Sequence, residues 1–326
     1  MNEKKHYISL ARVIAAIMII TLHTDETWVH VSASSDWLID NMIIGVTRFA
    51  VPIFFMITGA TLMDYHKRYD TKTFFIKRMK NVILPLLSWY FIALLFENKT
   101  GKSGISFLFW FLFALIGLYL CIPLFSALKE NLKEKVILSV IFISFTLNYL
   151  LPFIADTLHV SISNVLPPFY VGEGFLIYVL IGYIIHEKTI PLRWRIIFYV
   201  FAIIGYIIIV VGTYTRSLNT GVLDDTFGNT LNLPCLLWST GVFIFFKQMD
   251  QYIKNEKFIK ILTFLSSYAL SSYVLHQYVL RFFIKYYISD VSSILYKLGT
   301  PLLNFAICIL IASVIKKIPI LKKILP

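Results

Sequence analysis

The sequence predicts an all-α fold: a polytopic membrane helix bundle of about ten transmembrane helices, with both termini cytoplasmic. Three observations predict it. The 326 residues are 58% hydrophobic and 15% charged, against about 25% charged in soluble domains. Apolar runs such as VILPLLSWYFIALLF and IIFYVFAIIGYIIIVVGTY recur along the chain, each near the ~20 residues that cross ~30 Å of hydrocarbon. Lysine and arginine gather on alternate loops. Ten such helices in a soluble core would leave no polar face for water. Lipid in turn requires backbone groups to be satisfied within each span, which selects helices.

The spans fall at 9–25, 38–63, 81–97, 105–127, 135–152, 170–186, 194–212, 230–248, 261–283 and 301–317. With the N-terminus inside, the inner segments hold 22 of the 30 basic residues and the outer segments hold five, Lys99, Lys102, Arg216, Lys285 and Lys297. That bias places both termini in the cytoplasm. It also accounts for most of the net charge of +12, so no nucleic-acid partner is expected. The outer loops are comparatively acidic, with Asp25, Glu26, Asp36, Asp156, Asp224, Asp225 and Asp290. The first apolar run continues into DETW without a small-residue cleavage site, so it is expected to stay as a span. Residues 1–326 are expected to form one membrane domain, in a bacterial cytoplasmic (inner) membrane.

Finer features fit this frame. Trp28, Trp89, Trp110, Trp194 and Trp238 fall near interfaces and read as anchors. Pro52 and Pro123 lie inside expected helices, where they kink the helix or open its hydrogen-bond ladder. Cys121, Cys235 and Cys308 have no CxxC spacing, which argues for packing roles and against a disulfide framework or metal site. No two halves repeat one another, which weakens a reading as an inverted-repeat transporter.

Ionisable groups inside lipid are costly and persist mainly where they face a cavity. Arg12 and His23 share the first span, eleven positions apart. That is about three turns, so both point one way, separated by ~16 Å along the axis. A snorkelling arginine and an interfacial histidine are the plain alternative. Arg48, in NMIIGVTRFAVPIFFMITG, lies ~15 Å into the second span. It must face a functional cavity or form an ion pair, for instance with Glu173. His276, in SSYALSSYVLHQYVL, falls at an outer depth similar to His23, compatible with one shared site. Glu173 at the outer start of the sixth span either reaches that site or is a hydrated helix-start acid.

The richest basic patch is DYHKRYDTKTFFIKRMKN, with Lys77, Arg78 and Lys80 at the start of the third span. It suits anionic lipid headgroups, a soluble ligand with several phosphates, or simple anchoring. No glycine-rich phosphate loop, HExxH, GxSxG or Cys–His arrangement occurs, so the candidate chemistry is histidine-based. A phosphate-bearing donor docked at Arg12, Arg78 and Lys80 would thread its reactive end toward His23. A neutral histidine is a fit base for an acceptor hydroxyl, and Arg48 or a hydroxyl could stabilise the oxyanion.

At these residues the chain resembles the multispan acyltransferase-3 membrane proteins. LARVIAAIMIITLH is similar to that family's first-span signature, an arginine followed about three turns later by a histidine. VPIFFMITGATLM resembles its FFxxSG motif, with Thr58 where serine is usual. FFIKRMKNVILPLLSWY, FWFLFALIGLYLCIPLF and SSYVLHQYVL resemble its basic, Trp/Tyr-rich and Tyr-x-x-His segments, so the likeness spans roughly residues 5–320. It implies transfer of an acyl group, usually acetyl, from cytoplasmic acetyl-CoA to a hydroxyl of an extracytoplasmic or lipid-linked carbohydrate, without a metal. It implies His23 as the central catalytic residue and Arg12 with Arg78 as donor-binding residues. Membrane lipids and glycan-synthesis proteins are the implied partners. The chain departs at Asn81, where the family often has a further arginine. The same resemblance includes transporters of a small polar solute such as serine, and a scaffold role for a glycan synthase is a third reading.

Overall fold

A computed structural model of the chain describes residues 5–24, 27–100, 105, 109–158, 174–281, 293–319 and 321–325. Every regular element among them is helical. In chain order the α-helices are α1 (Tyr7–Thr24), α2 (Ser35–Thr47), α3 (Ala50–Leu62), α4 (Thr71–Arg78), α5 (Leu84–Thr100), α6 (Trp110–Ser126) and α7 (Glu130–Ser144). They continue with α8 (Leu151–Thr157), α9 (Leu176–Glu187), α10 (Leu192–Thr220), α11 (Leu233–Met249), α12 (Glu256–Ser266), α13 (Ala269–Val279) and α14 (Ile294–Ile315).

Among the described residues seven helical runs are long and apolar enough to cross a membrane, or eight if the bent pair α12–α13 is one span. Two more apolar helices, α6 and α9, are shorter. The chain is thus a multi-pass helical bundle. The expected spans are corrected in their details. The second span is broken at residues 48–49 between α2 and α3. The ninth bends by 57° between α12 and α13. The tenth starts earlier, at Ile294. Large apolar side chains such as Leu120, Leu124, Phe142, Ile203, Leu310 and Val314 remain exposed on the outside of the bundle, as lipid-facing positions should.

Proline explains the first break. Pro52 has no N–H to give to the carbonyl four residues back, which belongs to Arg48. That carbonyl accepts from Cys235 Sγ of α11 instead, at 3.3 Å. Arg48 therefore sits at an interruption in its span, where its side chain is free to turn inward. The basic segment passes from α4 to α5 through a π-helical turn, Met79–Ile83.

α1 runs through the middle, packed on α3, α11, α12, α13 and α14. α3 and α9 form another close pair. A Cβ at Gly59 would stand 1.8 Å from the Val179 carbonyl oxygen, and one at Gly182 would stand 2.2 Å from that of Met56. These two backbones touch because neither glycine has a side chain, the small-residue mode of membrane helix pairing. Gly59→Val or Gly182→Val is expected to lower the unfolding midpoint in detergent by several degrees or more, since forced overpacking costs about 1–3 kcal/mol. Gly117→Val, where nothing lies within 4 Å, should leave it in place. Temperature-stepped size-exclusion of the solubilised variants reads the difference.

Candidate functional site

Near the C-terminal end of α1, the His23 ring faces the His276 ring of α13, with centroids 5.3 Å apart. His276 is 1% exposed. Its Nδ1 lies 2.6 Å from the carbonyl oxygen of Tyr273. A carbonyl only accepts, so Nδ1 carries the hydrogen and Nε2 carries the lone pair. Among the described residues Nε2 has no hydrogen-bond partner. Asn304 of α14 holds the His276 backbone carbonyl through Nδ2 at 3.0 Å, and Cys308 Sγ donates to Asn304 Oδ1 at 3.2 Å. The two imidazoles that the sequence set at similar depth are thus brought together, one of them with a fixed tautomer.

Arg48 pairs with Asp225, Nη2 to Oδ2 at 2.8 Å. Glu173, the acid expected for it, lies outside the described residues. The guanidinium also sits 5.0 Å from the centroid of Trp28. Trp28 was expected as an interfacial anchor. It is instead buried, its indole Nε1 donating to Asn41 Oδ1 at 3.4 Å. Asp225 comes from the loop before α11, and Gly228 closes tightly over the pair: a Cβ there would stand 2.2 Å from Asp225 Oδ1 and 2.9 Å from Arg48 Nε. Burial pushes the Asp225 carboxyl up from its ordinary range, against the pull of Arg48. Its neighbour Asp224 is lowered: burial raises it, but Thr226 donates two hydrogen bonds and prevails.

A second buried pair, Lys297 with Asp40, ties α14 to α2, and Thr27 Oγ1 donates to Asp40 Oδ2 at 2.7 Å. Lys297 was expected in an outer loop. Lys133, expected in an inner loop, is likewise buried against Asp64.

At the other end of α1 lies a cleft of about 330 Å³. Arg12, Arg78, Asn81, Thr58, Tyr119 and Ser267 supply its polar wall, and no acid is among the side chains that line it. The Arg78 guanidinium stands 5.8 Å from the Phe74 ring and 5.6 Å from the Tyr119 ring. Two unneutralised cations in one concavity favour an anion with several charges. Lys77 and Lys80 do not line the cleft. Lys77 Nζ lies 3.9 Å above the Tyr69 ring, and Lys80 is exposed. The bend between α12 and α13 contributes Ser266, Ser267 and Ala269 to the wall. His23 is not among the residues that line the cleft.

A larger cavity, about 1090 Å³, lies elsewhere, between the start of α1 and the ends of α9 and α11. Several of its polar groups are already engaged. Tyr7 O–H meets His186 Nδ1 at 2.6 Å, the Tyr7 N–H donates to Asp250, and Lys247 caps the α9 carbonyls of Ile185 and His186. It reads as a structural polar junction.

A family model described as an acyltransferase domain matches residues 5–315. No curated protein and no solved structure matches the chain.

Arg48→Met is expected to destabilise the protein by about 1–3 kcal/mol at pH 8, between the values for surface and fully buried ion pairs. Without the cation, the Asp225 carboxyl rises further above its unfolded value. The folded variant then takes up a proton that the unfolded chain does not. Its deficit should be full above that range and shrink as pH falls toward 5. Adding Asp225→Leu should recover most of the loss at pH 8. Thermal unfolding of the three proteins across pH reads both effects, and a deficit independent of pH would remove Asp225 as the partner.

Proposed function

This chain belongs to the acyltransferase-3 family, and we propose that it takes an acetyl group from cytoplasmic acetyl-CoA and delivers it to a hydroxyl of an extracytoplasmic or lipid-linked carbohydrate. One observation carries the reading. Helix α1 holds a cation cleft without acids at one end and a buried imidazole pair at the other. The cation Arg12 and the imidazole His23 are eleven residues apart, ~16 Å along one helix face.

In this reading Arg12 and Arg78 hold the phosphates of the coenzyme, and its thioester arm reaches up the bundle toward His23. The acceptor hydroxyl attacks the thioester carbonyl while its proton passes to His23. The C–S bond then breaks, and His23 returns that proton to the sulfur, so that the coenzyme leaves as a thiol. His276, kept as an acceptor at Nε2 by its bond to Tyr273, offers the lone pair that stabilises the proton gained by His23. Arg48, held by Asp225 and Trp28, closes the outer end of the site. Glu173 is assigned to the same outer end. Lys77 and Lys80 lie outside the cleft and are assigned to anionic headgroups of the inner leaflet. We take α6, α9 and the bent α12–α13 pair as crossings too, giving ten spans with both termini in the cytoplasm of a bacterial inner membrane.

In sealed vesicles loaded with labelled acetyl-CoA, the parent protein should place label covalently on an external glycan. His23→Ala should keep membrane insertion and lose transfer by at least ~10²-fold, the usual range for a general base. Label appearing outside on an unmodified small solute would point to transport instead.

Arg78→Glu should weaken coenzyme A binding at least about tenfold at low salt, and the difference should narrow as salt screens it. Equal affinity for the two proteins at every salt concentration would move the donor site away from the cleft.

A further inference from the structure

The cation cleft and the imidazole pair are separated by aromatic rings. Phe54 and Phe111 are among the residues that line the cleft. Those two rings meet at 5.9 Å between centroids. Phe111, from the first turn of α6, then meets Tyr273 of α13 at 5.4 Å. Tyr273 meets His276 at 5.9 Å, and His276 meets His23. An unbroken ladder of rings therefore leads from the cleft to the proposed reaction centre. Phe111 is 2% exposed and Tyr273 is 7% exposed. Phe111 is also clamped from the side by Phe55 at 4.9 Å, and Phe55 in turn stacks on Phe175 of the α9 approach at 4.8 Å. Phe111 thus has rigid neighbours on two sides, and between the cleft and the imidazoles the ladder contains no cation.

We propose that Phe111 and Tyr273 set the length and charge of the acyl group, admitting acetyl and excluding chains of four or more carbons and acyl groups ending in a carboxylate. The proposal rests on the acyltransferase reading above. An acyl group that reaches His23 must lie against the Phe111–Tyr273 contact. Close-packed rings clamped on both sides yield little volume, and extra methylenes forced into such a site are penalised. One methylene in a fitted apolar pocket already changes rates by about 10- to 200-fold. A terminal carboxylate, as in succinyl, would be desolvated there without a counter-charge. Arg48 offers it little, because Asp225 already holds that guanidinium.

The test follows thiol release from acetyl-, butyryl-, hexanoyl- and succinyl-CoA by the purified protein with glycan acceptor. The parent is expected to favour acetyl over hexanoyl by at least 100-fold. Phe111→Ala should raise the hexanoyl-to-acetyl ratio at least tenfold, and Phe111→Leu, which keeps more of the packing, should raise it less while remaining folded. Succinyl-CoA should stay a poor donor in all three. Leu124→Ala, on the lipid-exposed side of α6, should leave the profile of the parent. A parent that uses hexanoyl-CoA as readily as acetyl-CoA overturns the proposal, and so does an unchanged ratio in both folded Phe111 variants. In either case acyl transfer itself still stands. Absence of thiol release from every donor, with coenzyme bound, overturns the acyltransferase reading and the filter together.

Discussion

In hydrocarbon a polar group has no water to fall back on, and this one constraint organises the interior of the bundle. The Arg48 carbonyl, deprived of its helical donor by Pro52, takes a thiol from α11. The Arg48 guanidinium takes an aspartate from a loop, and Lys297 finds Asp40. The His276 N–H turns back onto its own helix. The first three answers tie together elements distant in the chain. Nε2 of His276 keeps its lone pair without a hydrogen-bond partner among the described residues.

Much of this architecture was legible beforehand. Apolar runs of span length located the helices, because a bilayer sets one length scale for all of them. The eleven-residue spacing of Arg12 and His23 set both on one face of α1, because helical periodicity does not depend on tertiary context. Pro52 announced the break that frees Arg48.

The partners were less legible. Asp225 lies 177 positions after Arg48 in the sequence, and nothing local links them. A pair of acids in an otherwise short outer loop, facing a deep arginine without an assigned counter-ion, was the available signal. Trp28 and Lys297 were misread for a shared reason: residues near a span end look interfacial, while short helical turns and a helix that starts early can fold them inward. The basic segment shows the same limit at closer range. Lys77, Arg78 and Lys80 are nearly contiguous, yet only Arg78 turns into the cleft, because successive residues on a helix face different ways. Charge density marked the neighbourhood, and helix phase chose the residue.

Gly59 belongs to a stretch, FFMITG, that resembles a family signature and so invites a chemical reading. Its hydrogen atom stands where any larger group would strike the Val179 carbonyl. The stretch is therefore a spacer gauge: it fixes how near two spans can come. The groove that carries Thr58 inherits its width from that gauge. A chain bearing this signature is committed to a particular spacing of its helices, and substrate preference can diverge around it without redesign of the frame.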